Sequence, residues 1–476
     1  MIDVTVVGSG PNGLAAAVTA ARAGLGVRLL EGASTLGGGL RTSELTLPGF
    51  RHDVCSAVHP AAMASPFFRE FGLIDRVDWI VPEISYAHPL DHGEAGIAWR
   101  DLDRTAESLG RDGRAWRALL EPLVQRVDGV VDFTGSQLLR MPRDPIAALR
   151  YGLRALEQGT ALGDLRFRGE AAPAMLTGVA AHASGRQPSL APAGAGLLLA
   201  THAHAAGWGF PAGGSQAIAD ALVADLLAHG GTVETGVPVD SLAQLEPSRA
   251  TLLDTSPKLL LGGELPARYR RALGRYRYGP GVAKVDFALA GPVPWSNAEV
   301  RRAPTVHLGG TRAEIAASEN AVVRGSVAEH PYVLVTQPSV LDATRAPEGK
   351  HVLWAYIHVP SGSTLDATEL VTAQVERYAP GFRGLVLASA ASTATELAAY
   401  NPNYVGGDIY SGSLDLRQLV KRPVVSTTPW RTPIDGVYLC SSATPPGPAV
   451  HGMNGWYAAT LALKERFGIT EPPALR

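Results

Sequence analysis

Everything downstream in this chain must accommodate the turn Gly8-Ser9-Gly10-Pro11-Asn12-Gly13. Asp3 to Val7 before it has the β-branched, apolar character of a buried first strand, and the alanine-rich segment after it has helical character. In that context Gly8 permits a tight strand-to-helix turn and Gly10 lets the main chain approach a pyrophosphate. Gly13 lets the helix pack close to the strand, with the phosphates on the helix N-terminus. Gly24 and Gly26 punctuate the helix end, and Val27 to Leu30 reads as a second buried strand closed by Glu31. An acid at that spacing accepts a ribose 2′-hydroxyl and repels a 2′-phosphate, so FAD or NAD is expected and NADP is not.

The next glycine run, Gly37-Gly38-Gly39-Leu40-Arg41-Thr42, suits a backbone passing a diphosphate whose charge Arg41 fixes. With Glu44 it resembles the GG-x-x-R-T-x-E segment that follows the first βαβ unit in FAD-dependent amine oxidases and phytoene-desaturase-like enzymes. The resemblance implies FAD, held in part by Gly38, Gly39, Leu40 and Arg41.

At 476 residues the chain is too long for one compact core. A net charge of −2 offers no basic field for nucleic acid, and the Arg/Tyr-rich stretch Arg268 to Tyr278 reads as an exposed helix. Cys55 and Cys440 stand far apart and outside any C-x-x-C spacing, which argues against a flavin disulphide reductase and fits a reducing compartment. No targeting peptide precedes the first strand, and no run of apolar residues is long enough to span a bilayer. A cytoplasmic protein, at most peripheral to a membrane, is expected; a homodimer is compatible with the sequence.

Beyond Leu47-Pro48-Gly49-Phe50 the chain keeps Asp53 and Ser56 of a "PGF-x-x-D-x-x-S" segment, which in phytoene-desaturase-like proteins approaches the flavin from the substrate side. His59 follows. It reads either as a catalytic acid or base, or as a loop histidine bonded to backbone. Val77 to Ile80 and Ala95 to Trp99 read as strands. A helical period then sets in, with Trp116, Leu119, Leu120, Leu123 and Val127 on one face. Ile146, Leu149, Leu153 and Leu156, interleaved with Arg143, Arg150 and Arg154, form a basic amphipathic helix. Such a helix either covers a core or lies on an anionic membrane. His202 and His204 form an H-x-H pair without a third ligand at recognisable spacing, so no metal is expected.

Gly207 to Ser215 resembles the "P-x-GG-x-x-x-L" return to the nucleotide domain, with a helix from Gln216 to His229 and a strand from Gly231 to Val239. In flavin enzymes of this group a valine of that strand meets the adenine, which points to Val237 or Val239. Ala250 to Thr255 is another buried strand. Lys284 lies in the middle of the alternating strand Val282 to Leu289, where a buried ammonium needs a carboxylate, a water or a cofactor. By resemblance to flavin amine oxidases it faces the flavin; a salt-bridged or edge-exposed lysine is the other reading. Val352 to Val359 places Trp354, Tyr356 and His358 on one face, suited to a partly wet substrate cavity or to sheet core.

Pro338 to Pro360, GVAKVDFALAGPVPW and Asn401 to Asp408 closely resemble bacterial phytoene-dehydrogenase-like proteins and their mitochondrial pyridine nucleotide-disulphide oxidoreductase domain relatives. Gly436 to Gly455 is similar to the C-terminal "YLC-[GS]-x-x-T-x-P-G-x-x-V-x-G" of the same group. There a loop and a helix N-terminus hold the ribityl-phosphate and the pyrimidine edge of the flavin, implying Ser442, Val450, Gly452, Met453 and Asn454.

The expectation is an α/β protein: a Rossmann-type, glutathione-reductase-like FAD domain from 1–75, 206–285 and 405–476, with an inserted α+β substrate domain from 76–205 and 286–404. Its function is that of an FAD-dependent oxidoreductase of the desaturase, dehydrogenase or oxidase type. A hydride passes between an apolar, lipid- or isoprenoid-like substrate and the flavin, and oxygen or a quinone accepts the electrons. Three alternatives stand beside it: amine oxidation, with Trp456 and Tyr457 turned inward as a cage, flavin-dependent double-bond isomerisation, and a flavin-retaining scaffold without turnover.

Overall fold

The computed structural model describes residues 2–476. Two sheets organise it. The first is a five-stranded parallel sheet in the order 437–439, 250–253, 4–7, 27–31 and 232–235. Its central strands are apolar on both faces because both are covered: Val4, Val6 and Leu252 meet one set of helices, and Val7, Leu253 and Leu439 meet Leu260 and Leu273. Pro11–Arg22 and Met453–Ala462 pack so closely that a Cβ on Gly455 would overlap the Asn12 carbonyl, while Gln216–Ala228 lies against the same first helix. Both ends of the chain therefore build one layer.

The second sheet has seven strands, in the order 386–392, 281–289, 351–359, 333–336, 305–308, 84–89 and 95–99, with antiparallel pairing except between 305–308 and 84–89. Alternation divides its faces. Ala283, Val285, Phe287, Leu353, Ala355 and Ile357 pack with Val371 and Val375 in one core. The opposite face carries Lys284, Asp286, Trp354, Tyr356 and His358, since Lys284 pairs with Tyr356 and Asp286 with Trp354 across the strands. Helices at 113–124, 145–158, 171–180 and 190–205 form a further layer around Trp116, Met175 and Leu197.

Two expectations are corrected. The strand 281–289 belongs wholly to the second sheet, so the boundary drawn at 285 bisects it; the change of sheet comes before Gly281. The strand expected over 231–239 ends at Thr235, because Gly236 takes φ +71° and turns the chain. His202 and His204, for which no metal was expected, lie on the helix Leu190–Ala205. His204 accepts from Trp116 Nε1 at 3.1 Å and bonds the Trp99 carbonyl at 2.9 Å, whereas His202 lines the main cavity.

Candidate active site

One cavity of about 1150 Å³ runs between the two sheets. Its nucleotide end is walled by Gly8, Gly10, Pro11, Asn12, Glu31, Gly38, Gly39 and Arg41, all expected from the sequence. Glu31 closes the second strand and is held in place there. Its carboxylate accepts from Ser9 N at 2.9 Å, the Ser9 hydroxyl at 2.5 Å and Ala33 N at 2.9 Å. Arg41 lies 3.3 Å from Glu31 and donates to the Thr35 carbonyl and to the Tyr400 hydroxyl. Val237 and Val239 also line this end although they lie past their strand, Val237 N being tied to the Glu31 carbonyl at 2.9 Å. Ser442 and Val450 reach it from the C-terminal loop.

The glycines here have a reason the sequence does not show. Asp254, at the exit of strand 250–253, fills the space beneath them. A Cβ on Gly10 would come within 2.6 Å of its Oδ2, and one on Gly8 within 2.7 Å of its carbonyl oxygen. The Asp254 carboxylate accepts from Gly13 N at 2.8 Å. Burial pushes its pKa up, against the Gly13 hydrogen bond and with the help of Glu31, to about 7. The strand ATLLDT was legible, but nothing in its pattern singles out its terminal acid.

Gly13, Leu40, Gly452, Met453 and Asn454 stand behind the wall. Gly13 is a packing residue whose Cβ would overlap the Gly8 carbonyl. Leu40 is fully buried among core residues. Asn454 donates to the Thr444 carbonyl at 2.7 Å and shapes the loop from inside, and Met453 N is bonded by His451. None of these five residues lines the cavity: Gly13 packs as its glycine was expected to, and the others lie behind the turn and the loop that do line it.

A dinucleotide fits this end on the structure's own terms. The turn leaves no room for side chains, the Asn12 Oδ1 is buried without a partner, and the helix Pro11–Arg22 opens onto the cavity with its N-terminus.

At the other end, Trp354 and Tyr356 line the cavity as expected, but His358 does not. It sits behind Tyr356, between Glu319 and Tyr410. Trp456 is also absent from the wall; it packs against Phe67 and Tyr457. Lys284 is buried and ion-paired with Asp286, below the Trp354 ring at 5.6 Å. The salt-bridged reading of this lysine describes its contacts. His59 lines the cavity and contacts the Ser215 hydroxyl at 2.8 Å. Because Ser215 Oγ already donates to the Ser56 carbonyl, His59 Nε2 carries the proton, and burial lowers its pKa to about 4. It is a neutral ring with Nδ1 as acceptor. Sequence reasoning missed His182, whose Nε2 lies 2.7 Å from His307 Nε2 and whose pKa burial lowers to about 3. It also missed Tyr404 and Tyr410, both in the wall.

The glycine turn, the acid closing the second strand and the cavity between the sheets form the site of a dinucleotide-dependent enzyme. Residues 3–73 match the family described as FAD dependent oxidoreductase. Over 97% of this chain and 93% of the relative, the sequence is 25% identical to pyridine nucleotide-disulfide oxidoreductase domain-containing protein 2 of Rattus norvegicus. A shorter stretch of 110 residues, 23% of this chain and 20% of the relative, is 32% identical to a limonene dehydrogenase polypeptide of Castellaniella defragrans. The fold is similar to that of cyclohexylamine oxidase from Brevibacterium oxydans, with a TM-score of 0.58, 14% identity and coverage of 98% and 99% of the two chains. The protein is an FAD-dependent oxidoreductase. Its cysteines form no redox disulfide: both are free, and Cys440 is buried in the first core.

Proposed function

We propose that the protein transfers a hydride between an apolar, lipid- or isoprenoid-like substrate and FAD, with oxygen or a quinone taking the electrons. The observation that carries this reading is the continuity of one cavity from the glycine turn to a wall built from Leu156, Leu190, Leu198, Leu199, Leu334 and Trp354. Bound FAD supplies two-electron chemistry there. The chain's own residues bind its phosphates, exclude water and present neutral His59, His182 and His202 to the reacting region, where burial keeps all three rings uncharged. Amine oxidation is less well supported, because Trp456 and Tyr457 stack on each other away from the wall. In an anaerobic titration, an isoprenoid or fatty substrate is expected to bleach the visible flavin band. A protein that stays oxidised with every lipid and is bleached by primary amines refutes the proposal.

The mouth of the cavity supports a lipid source. The helix Pro145–Gln158 contributes Tyr151, Ala155 and Leu156 to the wall, yet turns Leu149 (62% exposed) and Leu153 (57%) to solvent, and Met141, four residues before the helix, is 82% exposed. Arg143, just before the helix, is 87% exposed, and no helix of the described residues is long and apolar enough to cross a membrane. A peripheral contact with an anionic bilayer buries this face. The holoprotein is expected to float with phosphatidylglycerol vesicles, and Leu149→Glu with Leu153→Glu to cut the bound fraction about tenfold with flavin content unchanged. Equal flotation of the two proteins removes the membrane from the account.

A further inference from the structure

Behind the cavity wall four polar side chains form a line. Glu319, on the helix Arg312–Val323, is buried with both carboxylate oxygens on His358 Nδ1, at 3.0 and 2.9 Å. His358 Nε2 is 3.2 Å from the Tyr410 hydroxyl, and that hydroxyl is 3.2 Å from the hydroxyl of Tyr356. Tyr356 and Tyr410 both line the cavity. The ring of Tyr332 stacks on His358 at 6.3 Å, but its hydroxyl donates to the Gly178 carbonyl and takes no part in the line.

The direction of the protons follows from the buried acid. A carboxylate out of water needs a donor, and among the described residues His358 Nδ1 is the one Glu319 has. With Nδ1–H committed, Nε2 of the neutral ring is an acceptor, so Tyr410 O–H donates to it. Tyr410 then offers Tyr356 only lone pairs, and Tyr356 O–H donates to Tyr410. Every donor points toward Glu319, and the Tyr356 oxygen is left with lone pairs for a donor from the cavity. A hydrocarbon or an ether brings none; an alcohol does. One further proton converts His358 to an imidazolium already paired with Glu319, without moving a heavy atom.

We propose that the line Glu319, His358, Tyr410 and Tyr356 recognises a hydroxyl and accepts its proton, so that the apolar substrate is an alcohol. This rests on the reading of the cavity given above. In oxidation the substrate O–H proton goes to the Tyr356 oxygen, the Tyr356 proton to Tyr410 and the Tyr410 proton to His358 Nε2. Bound FAD would supply the two-electron acceptor for the carbon-bound hydrogen and its electron pair, so that the alcohol carbon becomes a carbonyl carbon as the O–H proton enters the line. Tyr356 touches the substrate; Glu319 and His358 are positioning residues.

The test compares binding of 1-decanol and decyl methyl ether to the holoprotein, read by quenching of tryptophan fluorescence, Trp354 and Trp208 both being in the wall. The alcohol is expected to bind about tenfold more tightly, the worth of one hydrogen bond to a group otherwise left unpaired. Tyr356→Phe and Glu319→Gln are expected to bring the two affinities within about twofold by weakening the alcohol and leaving the ether unchanged, which also shows that each variant is folded. Equal affinities in the unmodified protein, or a preference that survives both substitutions, overturn the proposal alone. Failure of both probes to bind overturns it together with the apolar-cavity reading.

Discussion

Gly13→Val is expected to yield a colourless protein. The glycine is buried in the first turn of the helix Pro11–Arg22, and any Cβ there would overlap the Gly8 carbonyl while coming within 3.0 Å of the Asp254 side chain. No flexible side-chain end is available to give way on the carbonyl side, so the turn itself must open. That displaces the helix N-terminus on which the pyrophosphate depends. Visible absorbance relative to protein should fall to near zero, and added FAD should no longer raise the melting temperature as it does for a protein that binds it. Gly384→Ala is the matched control, since a Cβ there meets nothing within 4 Å. A yellow, FAD-stabilised Gly13→Val protein refutes the assignment of the turn.

Asp53→Asn is expected to destabilise the protein by about 3–5 kcal/mol, the cost of leaving one buried charge without its partner. Asp53 and Arg345 are each 1% exposed and meet at 2.6 Å, while the same carboxylate accepts from Ser215 N and from the Thr42 hydroxyl. Three distant segments are thus tied together at one point beside the cavity. Burial pushes the Asp53 pKa up, but Arg345 and the two hydrogen bonds outweigh it and leave the value lowered. A lowered folded value means that the carboxylate stabilises the protein above its unfolded pKa and that this contribution is lost as pH falls through the folded one. The gap between the two proteins in denaturant titrations should therefore be full at neutral pH and shrink below about pH 4. A gap that is small, or that does not change on acidification, would mean that the pair is not the tie described.

The Asp53 pair also shows where reading the chain alone stops. The sequence marks Asp53 through its neighbours, but its partner lies 292 positions away, and an arginine at the end of the short helical turn Ala343–Arg345 carries no mark of the carboxylate it will meet. The same holds for Glu319 and His358. The period-2 alternation placed Trp354, Tyr356 and His358 on one face, and they are on one face. Which of the three reaches the cavity depends on Tyr410, brought in by a loop whose Asp408 binds the amides of Gly279, Tyr410 and Gly412. Lys284 was recognisable as a charge in an apolar strand needing a partner. That the partner is Asp286, two residues on along the same face, was equally available from the spacing.

Local physics determined a good deal here without any tertiary information. Strand, glycine turn, helix, second strand and acid follow from short-range sterics and from the demands of a phosphate on a helix end, so they were legible and they specify a dinucleotide; FAD in particular came from the resemblance carried by the glycine run that follows. The shape and proton direction of the substrate end were decided only when both sheets and the helical layer closed on one another. Burial and long-range pairing set which histidines are neutral and which oxygen ends the line, and neither is a property of any single stretch of chain.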